Sequence, residues 1–299
     1  MKKKFMSIAL ASVMALSLAG CGGSTGGTTT AADTTAAAPA DTTAEASSED
    51  TTAADNTSAE AAEATESAGG TLIVGFDQDF PPMGFIGDDG EFTGFDLELA
   101  QEVAKRLGLE YKPQPIAWDA KDMELEAGNI DCIWNGFTMT GREDDYAWTD
   151  AYMANTQVFV VAKDSGIASQ ADLAGKVVEC QVDSSAEVAL KEVPDLTATF
   201  KDLLTTADYN TAFMDLEQGA VDAIAMDVIV AGYQIQQRNA DFVILDDSLS
   251  AEEYGVGFKK DNTELRDKVQ KTLEEMAADG TLKSISEKWF GEDVTTIGK

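Results

Sequence analysis

Hydrophobic and polar residues follow two patterns along the chain from residue 71 onward. Short apolar runs, such as residues 72–76 and 220–226, are typical of strands buried in a sheet. Other segments, such as residues 96–107, have apolar residues every three or four positions and predict amphipathic helices. Asp96 is the predicted N-cap of that helix, and a further strand is predicted near residues 197–200. Alternating strands and helices indicate an α/β fold with parallel sheets.

The sequence contains an internal repeat. Residues 123–133, MELEAGNIDCI, match residues 214–224, MDLEQGAVDAI. Each copy predicts a helix, a glycine that ends it, an aspartate and a buried strand. Asp131 and Asp222 recur at the same place in both copies, so we predict a structural role for them. Two copies predict two similar lobes, and in such sheets ligands bind beyond the carboxyl ends of the strands.

The predicted strand ends carry polar and aromatic residues that could form a binding site. These residues are Asp77, Trp118, Asn135, Gly136, Ser184 and Asp227. Arg142 follows the third strand end, and its planar guanidinium can hold a carboxylate through two hydrogen bonds. Ser184 and Ser185 begin a helix, whose free N–H groups favour an anion. An Arg142 carboxylate site facing an Asp227 ammonium site predicts binding of an α-amino acid, with both charges satisfied only when the lobes close.

These residues also have structural interpretations. Arg142 can pair with neighbouring acidic residues at the surface. Asp227 can be a helix N-cap. Phe80 and Trp118 offer flat apolar faces, but such residues, taken singly, more often belong to a core than to a site.

Composition excludes several functional classes. The chain has 21 basic and 54 acidic residues, a net charge of −33, which repels nucleic acid, so no nucleic-acid partner is expected. It has no histidine, which excludes Ser-His and Cys-His catalysis and removes the commonest zinc ligand. None of the three cysteines has CxxC spacing, so neither a metal nor a cofactor is predicted. Cys132 and Cys180 are expected to be buried and unpaired.

The N-terminal segment predicts export. Residues 1–20 have three lysines and then an apolar stretch too short for a transmembrane helix, as in a signal peptide. The residues that end in Cys21, LAGC, resemble the lipobox of bacterial lipoproteins, which implies cleavage and acylation of Cys21, for example with palmitate. An ordinary export signal is the alternative. Residues 21–70 lack aromatic residues, Leu, Ile and Val, which predicts a disordered acidic tether rich in Ala and Thr.

Two segments resemble the bacterial solute-binding proteins for polar amino acids (family 3), which are receptors of ABC importers. Residues 136–142, GFTMTGR, and 148–152, WTDAY, resemble that family's GxTxTxxR…FSxPY signature, with the Arg one position nearer. Residues 94–99, GFDLEL, resemble its GFDxDL segment. The resemblance extends over residues 71–291. It implies a two-lobed, periplasmic-binding-protein-like (type II) α/β fold, with a ligand cleft between lobes joined by two hinge crossings.

The resemblance also implies a role for each candidate residue. The α-carboxylate would be bound by Arg142, Thr138, Ser184 and Ser185. The α-ammonium would be bound by the carbonyl of Gly136 and the side chain of Asp227. The ligand side chain would lie between the rings of Phe80 and Trp118, with Asp77 and Gln181 near its tip. Asn135 lies at the same strand end as Gly136. Asp183 stands where the family more often has glycine, and we expect a second acidic group there to weaken carboxylate binding.

These observations predict where the lobes divide. Lobe 1 comprises residues 71–153 and 255–299, and lobe 2 comprises residues 154–254. The hinge crossings lie near Asn155 and Ser250.

The predicted function is non-catalytic binding of a free polar amino acid for an ABC permease. Asp77 and the strongly acidic composition indicate a ligand with a basic or amide side chain. The protein is expected to be a monomer on the extracytoplasmic face of the cell membrane, anchored through Cys21. Two alternatives are a cyclohexadienyl-dehydratase-like enzyme on the same fold, with Asp77 or Asp183 as general acid, and a ligand sensor for a membrane signalling protein.

Overall fold

The computed structural model describes residues 69–238 and 240–299. The predicted signal peptide, Cys21 and all but the last two residues of the predicted tether lie outside these ranges. The described strands are β1 (Thr71–Phe76), β2 (Asp79–Phe80), β3 (Gly84–Ile86), β4 (Phe92–Thr93), β5 (Glu110–Pro115), β6 (Cys132–Ile133), β7 (Ala147–Trp148), β8 (Met153–Ala162), β9 (Val177–Gln181), β10 (Asp202–Thr206), β11 (Ala223–Asp227), β12 (Phe242–Ile244), β13 (Ser250–Tyr254) and β14 (Gly257–Phe258).

The helices alternate with these strands along the chain. They are α1 (Phe95–Leu107), α2 (Lys121–Ala127), α3 (Ser185–Glu192), α4 (Pro194–Thr197), α5 (Tyr209–Gln218), α6 (Val228–Arg238), α7 (Thr263–Asp279) and α8 (Thr281–Phe290), with short 3-10 turns at Trp118–Ala120 and Gln170–Leu173. Within the described ranges, no helix combines the length and the apolar character needed to cross a membrane.

The strands form two main sheets. The first has the order β5-β1-β6-β14-β7 and the second the order β10-β9-β11-β8-β12, with β13 beside β8. In the first, β1 is parallel to β5 and β6; in the second, β9 is parallel to β10 and β11. The carboxyl ends of parallel strands therefore meet at one edge of each sheet, where ligands bind in such folds. The residue bounds of the two lobes stay predictions.

Two strands cross between the sheets. β8 follows β7 of the first sheet and enters the second, whereas β13 leaves the second sheet and leads to β14 of the first. The two crossing strands pair with each other in antiparallel register, with Asn155 opposite Glu252. The crossings predicted near Asn155 and Ser250 thus form one paired ribbon.

The internal repeat has the same local structure in both sheets. A glycine in the left-handed region ends α2 and α5, with φ of 75° and 70°. Asp131 then accepts a hydrogen bond from the N–H of Ile73 at 2.7 Å, and Asp222 accepts one from the N–H of Val177 at 2.8 Å. The predicted structural role of both aspartates is confirmed, since each ties a strand to its neighbour.

The predicted helix cap at Asp96 is wrong. Gly94 is the N-cap of α1, with φ 144°. A Cβ at this position would lie 2.3 Å from the carbonyl oxygen of Met83, so only glycine allows the two chains to approach this closely. The carboxylate of Asp96 points into the interior instead, where the side chain is fully buried.

The strand predicted near residues 197–200 is also wrong. The segment belongs to α4 and the turn after it, and the strand is β10, two residues further on. Pro194 occupies the first turn of α4, where its missing N–H leaves no helical hydrogen bond unmade. Cys132 and Cys180 are buried and unpaired, as predicted.

Candidate functional site

A single cavity between the two sheets is lined by all eleven predicted site residues. The space between its walls, including the part open to solvent, is about 290 Å³. The first sheet, the small sheet of β2, β3 and β4 and the adjoining loops contribute Asp77, Phe80, Trp118, Asn135, Gly136, Thr138 and Arg142, and the second sheet and its loops contribute Gln181, Ser184, Ser185 and Asp227. The structure therefore brings these side chains together, while their role in ligand binding stays a prediction.

Arg142 reaches the cavity from the loop after β6. Its Nη1 donates to the carbonyl of Thr138 at 3.3 Å and its Nη2 to the carbonyl of Asp183 at 3.4 Å. Both bonds are long, so most of the five guanidinium donors remain for a ligand. Thr138 is 2% exposed, and its buried hydroxyl has no partner among the described residues. These two side chains together offer unused donors to an anion.

Ser184 and Ser185 lie on the facing wall, where β9 leads into α3. Ser184 is the N-cap: its hydroxyl accepts from the N–H of Glu187 at 3.2 Å and donates to the carbonyl of Gln181 at 2.7 Å. The hydroxyl of Ser185 accepts from Nε2 of Gln157 at 3.0 Å. The helix N-terminus presents N–H groups and a positive dipole end to the cavity. This wall therefore also favours a negative group.

Asp227 ends β11 and is 3% exposed. Its Oδ1 accepts from Nδ2 of Asn155 at 2.7 Å, from Nε2 of Gln157 at 2.9 Å and from the hydroxyl of Tyr254. No donor from the described residues reaches Oδ2, so this oxygen is available to a cation. Burial raises the pKa of Asp227 well above its ordinary value, and the neighbouring Glu252 carboxylate raises it further. A ligand ammonium would favour the ionised form.

The sequence analysis missed the hydrogen-bonding group behind Asp227. The amides of Asn155 and Gln157 also donate to Oε1 of Glu252, at 2.5 and 2.8 Å, and Glu252 is 6% exposed. These residues lie on the crossing strands β8 and β13. Polar residues at positions 155 and 157, on one face of a strand whose second half is apolar, were the available signal. The strands that join the lobes thus directly position the Asp227 carboxylate.

Asp77 lies at the end of β1 and is 6% exposed. Its Oδ1 accepts from the N–H of Asp79 at 2.9 Å, and its Oδ2 accepts from Nε2 of Gln181 at 2.7 Å. Burial raises the pKa of Asp77 to about 6, and the carboxylates of Asp79 and Asp208 contribute in the same direction. The electrostatic potential at this end of the cavity is therefore negative.

A wider recess of about 790 Å³ adjoins the cavity at Asp77 and Trp118. Asp79, Asp119 and Asp208 line it as well, and no lysine or arginine of the described part does so. These carboxylates do not form a metal site, because no group of three or more potential metal ligands comes together within residues 69–238 and 240–299. The recess extends the negative region beyond Asp77.

Phe80 and Trp118 form the apolar walls and are 6% and 9% exposed. Gly136 lies beside them with φ 56°, and a Cβ there would lie 3.0 Å from the Phe80 ring and 3.2 Å from that of Tyr254. The N–H of Gly136 donates to the carboxylate of Asp96 at 2.6 Å. Burial raises the pKa of Asp96 to about 7. Asp96, wrongly predicted as a cap, thus positions the glycine loop at the cavity.

A sequence model of the bacterial extracellular solute-binding proteins, family 3, matches residues 72–292. The chain belongs to this family. The L-cystine-binding protein of Escherichia coli is 35% identical over 229 residues, which are 76% of this chain and 85% of that protein. The arginine-binding extracellular protein of Bacillus subtilis is 32% identical over 231 residues, 76% of this chain and 88% of that protein.

Solved structures of similar proteins have the same fold. The substrate-binding protein of an ABC uptake transporter from Streptococcus pneumoniae, with bound histidine, is 36% identical with a TM-score of 0.74 and covers 76% of this chain and 94% of its own. An ancestral arginine-binding protein bound to arginine is 39% identical with a TM-score of 0.69. The match covers 74% of this chain and 99% of that protein. The predicted family and the two-lobed α/β fold are confirmed. These family 3 relatives are named as binding proteins.

Proposed function

We propose that this family 3 protein is the extracytoplasmic binding protein of an ABC importer and that it binds one free polar amino acid, preferably with a cationic side chain, by closure of its two lobes. The observation that carries the proposal is the composition of the cavity. Arg142, with donors to spare, faces the same small space as the buried carboxylates of Asp227 and Asp77. One anion site and two cation sites match a basic amino acid.

The proposed mechanism uses both lobes. The α-carboxylate binds Arg142 of the first lobe and the N-terminus of α3 of the second. The α-ammonium binds the free Oδ2 of Asp227, again on the second lobe. A ligand that contacts both walls binds the closed form more tightly than the open one, so it shifts the equilibrium toward closure.

The negative end of the cavity supports a cationic ligand side chain. Asp77 loses most of its hydration on burial, and a guanidinium or ammonium beside it would replace the lost interactions. Cystine carries a second carboxylate beside its second ammonium, and this carboxylate would be repelled by Asp77 and the other aspartates of the recess, whereas the side chains of arginine and lysine carry only positive charge. We therefore favour arginine or lysine over cystine.

The membrane attachment belongs to the same proposal. Cleavage before Cys21 and acylation of its thiol would leave the binding domain on a long acidic tether beside a permease, as a monomer. Metabolic labelling with palmitate should mark the wild type and not Cys21→Ala. A wild-type protein that takes up no lipid label would contradict the lipid anchor.

Thermal unfolding of the purified protein with each of the twenty amino acids, cystine, prephenate and arogenate tests the binding function. A ligand at a hundredfold its Kd stabilises by about 2.7 kcal/mol, or several degrees. We expect arginine or lysine to raise Tm and Arg142→Ala to abolish the shift, while Arg266→Ala, outside the cavity, retains it. Turnover of prephenate or arogenate would support the enzyme alternative, and no shift with any amino acid would refute the proposal.

A further inference from the structure

We propose that Lys121 and Asp183 form a latch across the cleft, an ion pair that lets the closed form bury the Lys121 ammonium, so that closure depends on Asp183 as well as on the ligand. Lys121 is the first residue of α2, which packs on the first sheet. Asp183 lies between β9 and α3 of the second sheet. Nζ of Lys121 pairs with Oδ2 of Asp183 and lies 3.5 Å from the Asp183 carbonyl oxygen. The binding readout below rests on the proposed function, but the latch itself does not.

The burial of Lys121 makes the pair conditional on closure. Its side chain is 2% exposed, whereas that of Asp183 is 49% exposed. Nζ also lies 5.3 Å from the ring centroid of Trp118, which lines the cavity. Both oxygens that Nζ contacts in the described part belong to Asp183, on the other lobe. A buried ammonium without a partner is strongly unfavourable, so loss of Asp183 disfavours the closed form, while opening returns Lys121 to water.

The backbone of Asp183 supports the same conclusion. With φ 57°, it is the one non-glycine residue in the left-handed region among residues 69–238 and 240–299. Its N–H donates to Oε2 of Glu187 at 2.7 Å, which holds the turn, and its carbonyl accepts from both Lys121 and Arg142. Glycine would adopt this conformation with less strain. The ion pair with Lys121 gives a physical reason for a carboxylate at this strained position, and it offsets the negative charge that the sequence analysis expected to weaken carboxylate binding.

Affinity measurements on three variants test the latch. Asp183→Asn keeps the size and the tolerance for a left-handed backbone but leaves the buried Lys121 without a counter-charge. We expect Kd for the amino acid ligand to rise about tenfold, which corresponds to about 1.4 kcal/mol. Adding Lys121→Met to Asp183→Asn removes the buried charge and should restore Kd to within about threefold of the wild type. Glu264→Gln, which removes one carboxylate from a pair within α7, should leave Kd unchanged.

A wild-type Kd for Asp183→Asn, or a double variant no better than the single one, would overturn the latch. Small-angle scattering of the ligand-free protein separates this result from a failure of the proposed function. At low salt we expect a larger radius of gyration for Asp183→Asn than for the wild type, and again a wild-type value for the double variant. If no amino acid binds but this pattern appears, the latch stands and the ligand proposal falls. If no amino acid binds and the radii are equal, both fall.

Discussion

Asp77→Asn is expected to change how ligand binding depends on pH. Burial gives the Asp77 carboxyl a pKa of about 6. A cationic ligand side chain favours the ionised carboxylate, so below this pH the wild type must release a proton in order to bind. For a pKa of about 6, Asp77 alone should raise the Kd for arginine about tenfold between pH 7 and pH 5. Asparagine does not titrate, so the rise in the variant should be about tenfold smaller than in the wild type, and what remains of it belongs to Asp227, whose pKa is also raised.

The substitution should also discriminate between ligands at pH 7. A hydrogen bond to a charged group contributes about 1.5–3 kcal/mol, so the Kd for arginine and lysine should rise by roughly 10- to 100-fold. Glutamine, whose side chain is neutral, should lose much less affinity. Isothermal titration with arginine, lysine and glutamine at pH 5, 6 and 7 measures both effects.

The stability of the ligand-free protein provides a second readout. The native state holds the Asp77 proton more tightly than the unfolded state, so this residue's contribution to stability is fully present below about pH 4 and is lost as pH rises through about 6. A shift of about 2 units corresponds to about 3 kcal/mol. Asparagine lacks this penalty but loses one acceptor, for the N–H of Asp79 or the amide of Gln181, at about 1 kcal/mol. The net gain at pH 7 is about 2 kcal/mol, or roughly 4–8 °C in Tm.

Asp195→Asn is the matched control. It removes the same charge as Asp77→Asn, but from an exposed residue on α4. It should change neither Tm nor Kd. Equal losses of affinity for arginine, lysine and glutamine in Asp77→Asn would refute the assignment of Asp77 to a cationic side chain. The same pH dependence of Kd in the variant and the wild type would show that another group titrates.

Two further predictions concern stability. Asp131→Ala and Asp222→Ala each leave a strand N–H without its partner, so each should lower the free energy of unfolding by about 1–3 kcal/mol in denaturant titration, with ligand affinity unchanged because neither residue lines the cavity. Gly94→Ala should lower the free energy of unfolding by about 3 kcal/mol, because its Cβ would lie 2.3 Å from a carbonyl oxygen. Gly219 also has a positive φ but lies beside open space, so Gly219→Ala should lower it by only about 1 kcal/mol. Equal losses in the two variants would contradict the steric argument.

Much of the site was predictable because its signal is local. A parallel strand appears in sequence as an apolar run, and the polar residue that follows it, such as Asp77 or Asp227, lies at the carboxyl end of that strand. The repeat of residues 123–133 at 214–224 showed that this unit occurs twice. Since carboxyl ends of parallel strands share an edge, the positions of these residues in space follow from their positions in the chain.

Other features depend on contacts between segments far apart in sequence. Asp96 has the sequence context of a helix cap, but the close approach of Gly94 to Met83 places the helix start earlier and turns the carboxylate toward Gly136, forty residues away. Glu252 in sequence is one acidic residue among many. Only the pairing of β8 with β13 places it beside Asp227.

The sequence by itself therefore determined the α/β alternation and the strand-end residues of the cavity, because these are encoded in short-range patterns of apolar and polar positions. The family, and cavity residues such as Thr138 and Gln181, came from the resemblance of short segments to family 3. The tertiary structure decided which groups are satisfied and which remain free for a ligand. It placed three donors on Oδ1 of Asp227, buried the carboxyl of Asp77 and set Lys121 against Asp183 across the cleft. Burial and hydrogen bonding of a charge depend on everything packed around it, and no local pattern records that environment.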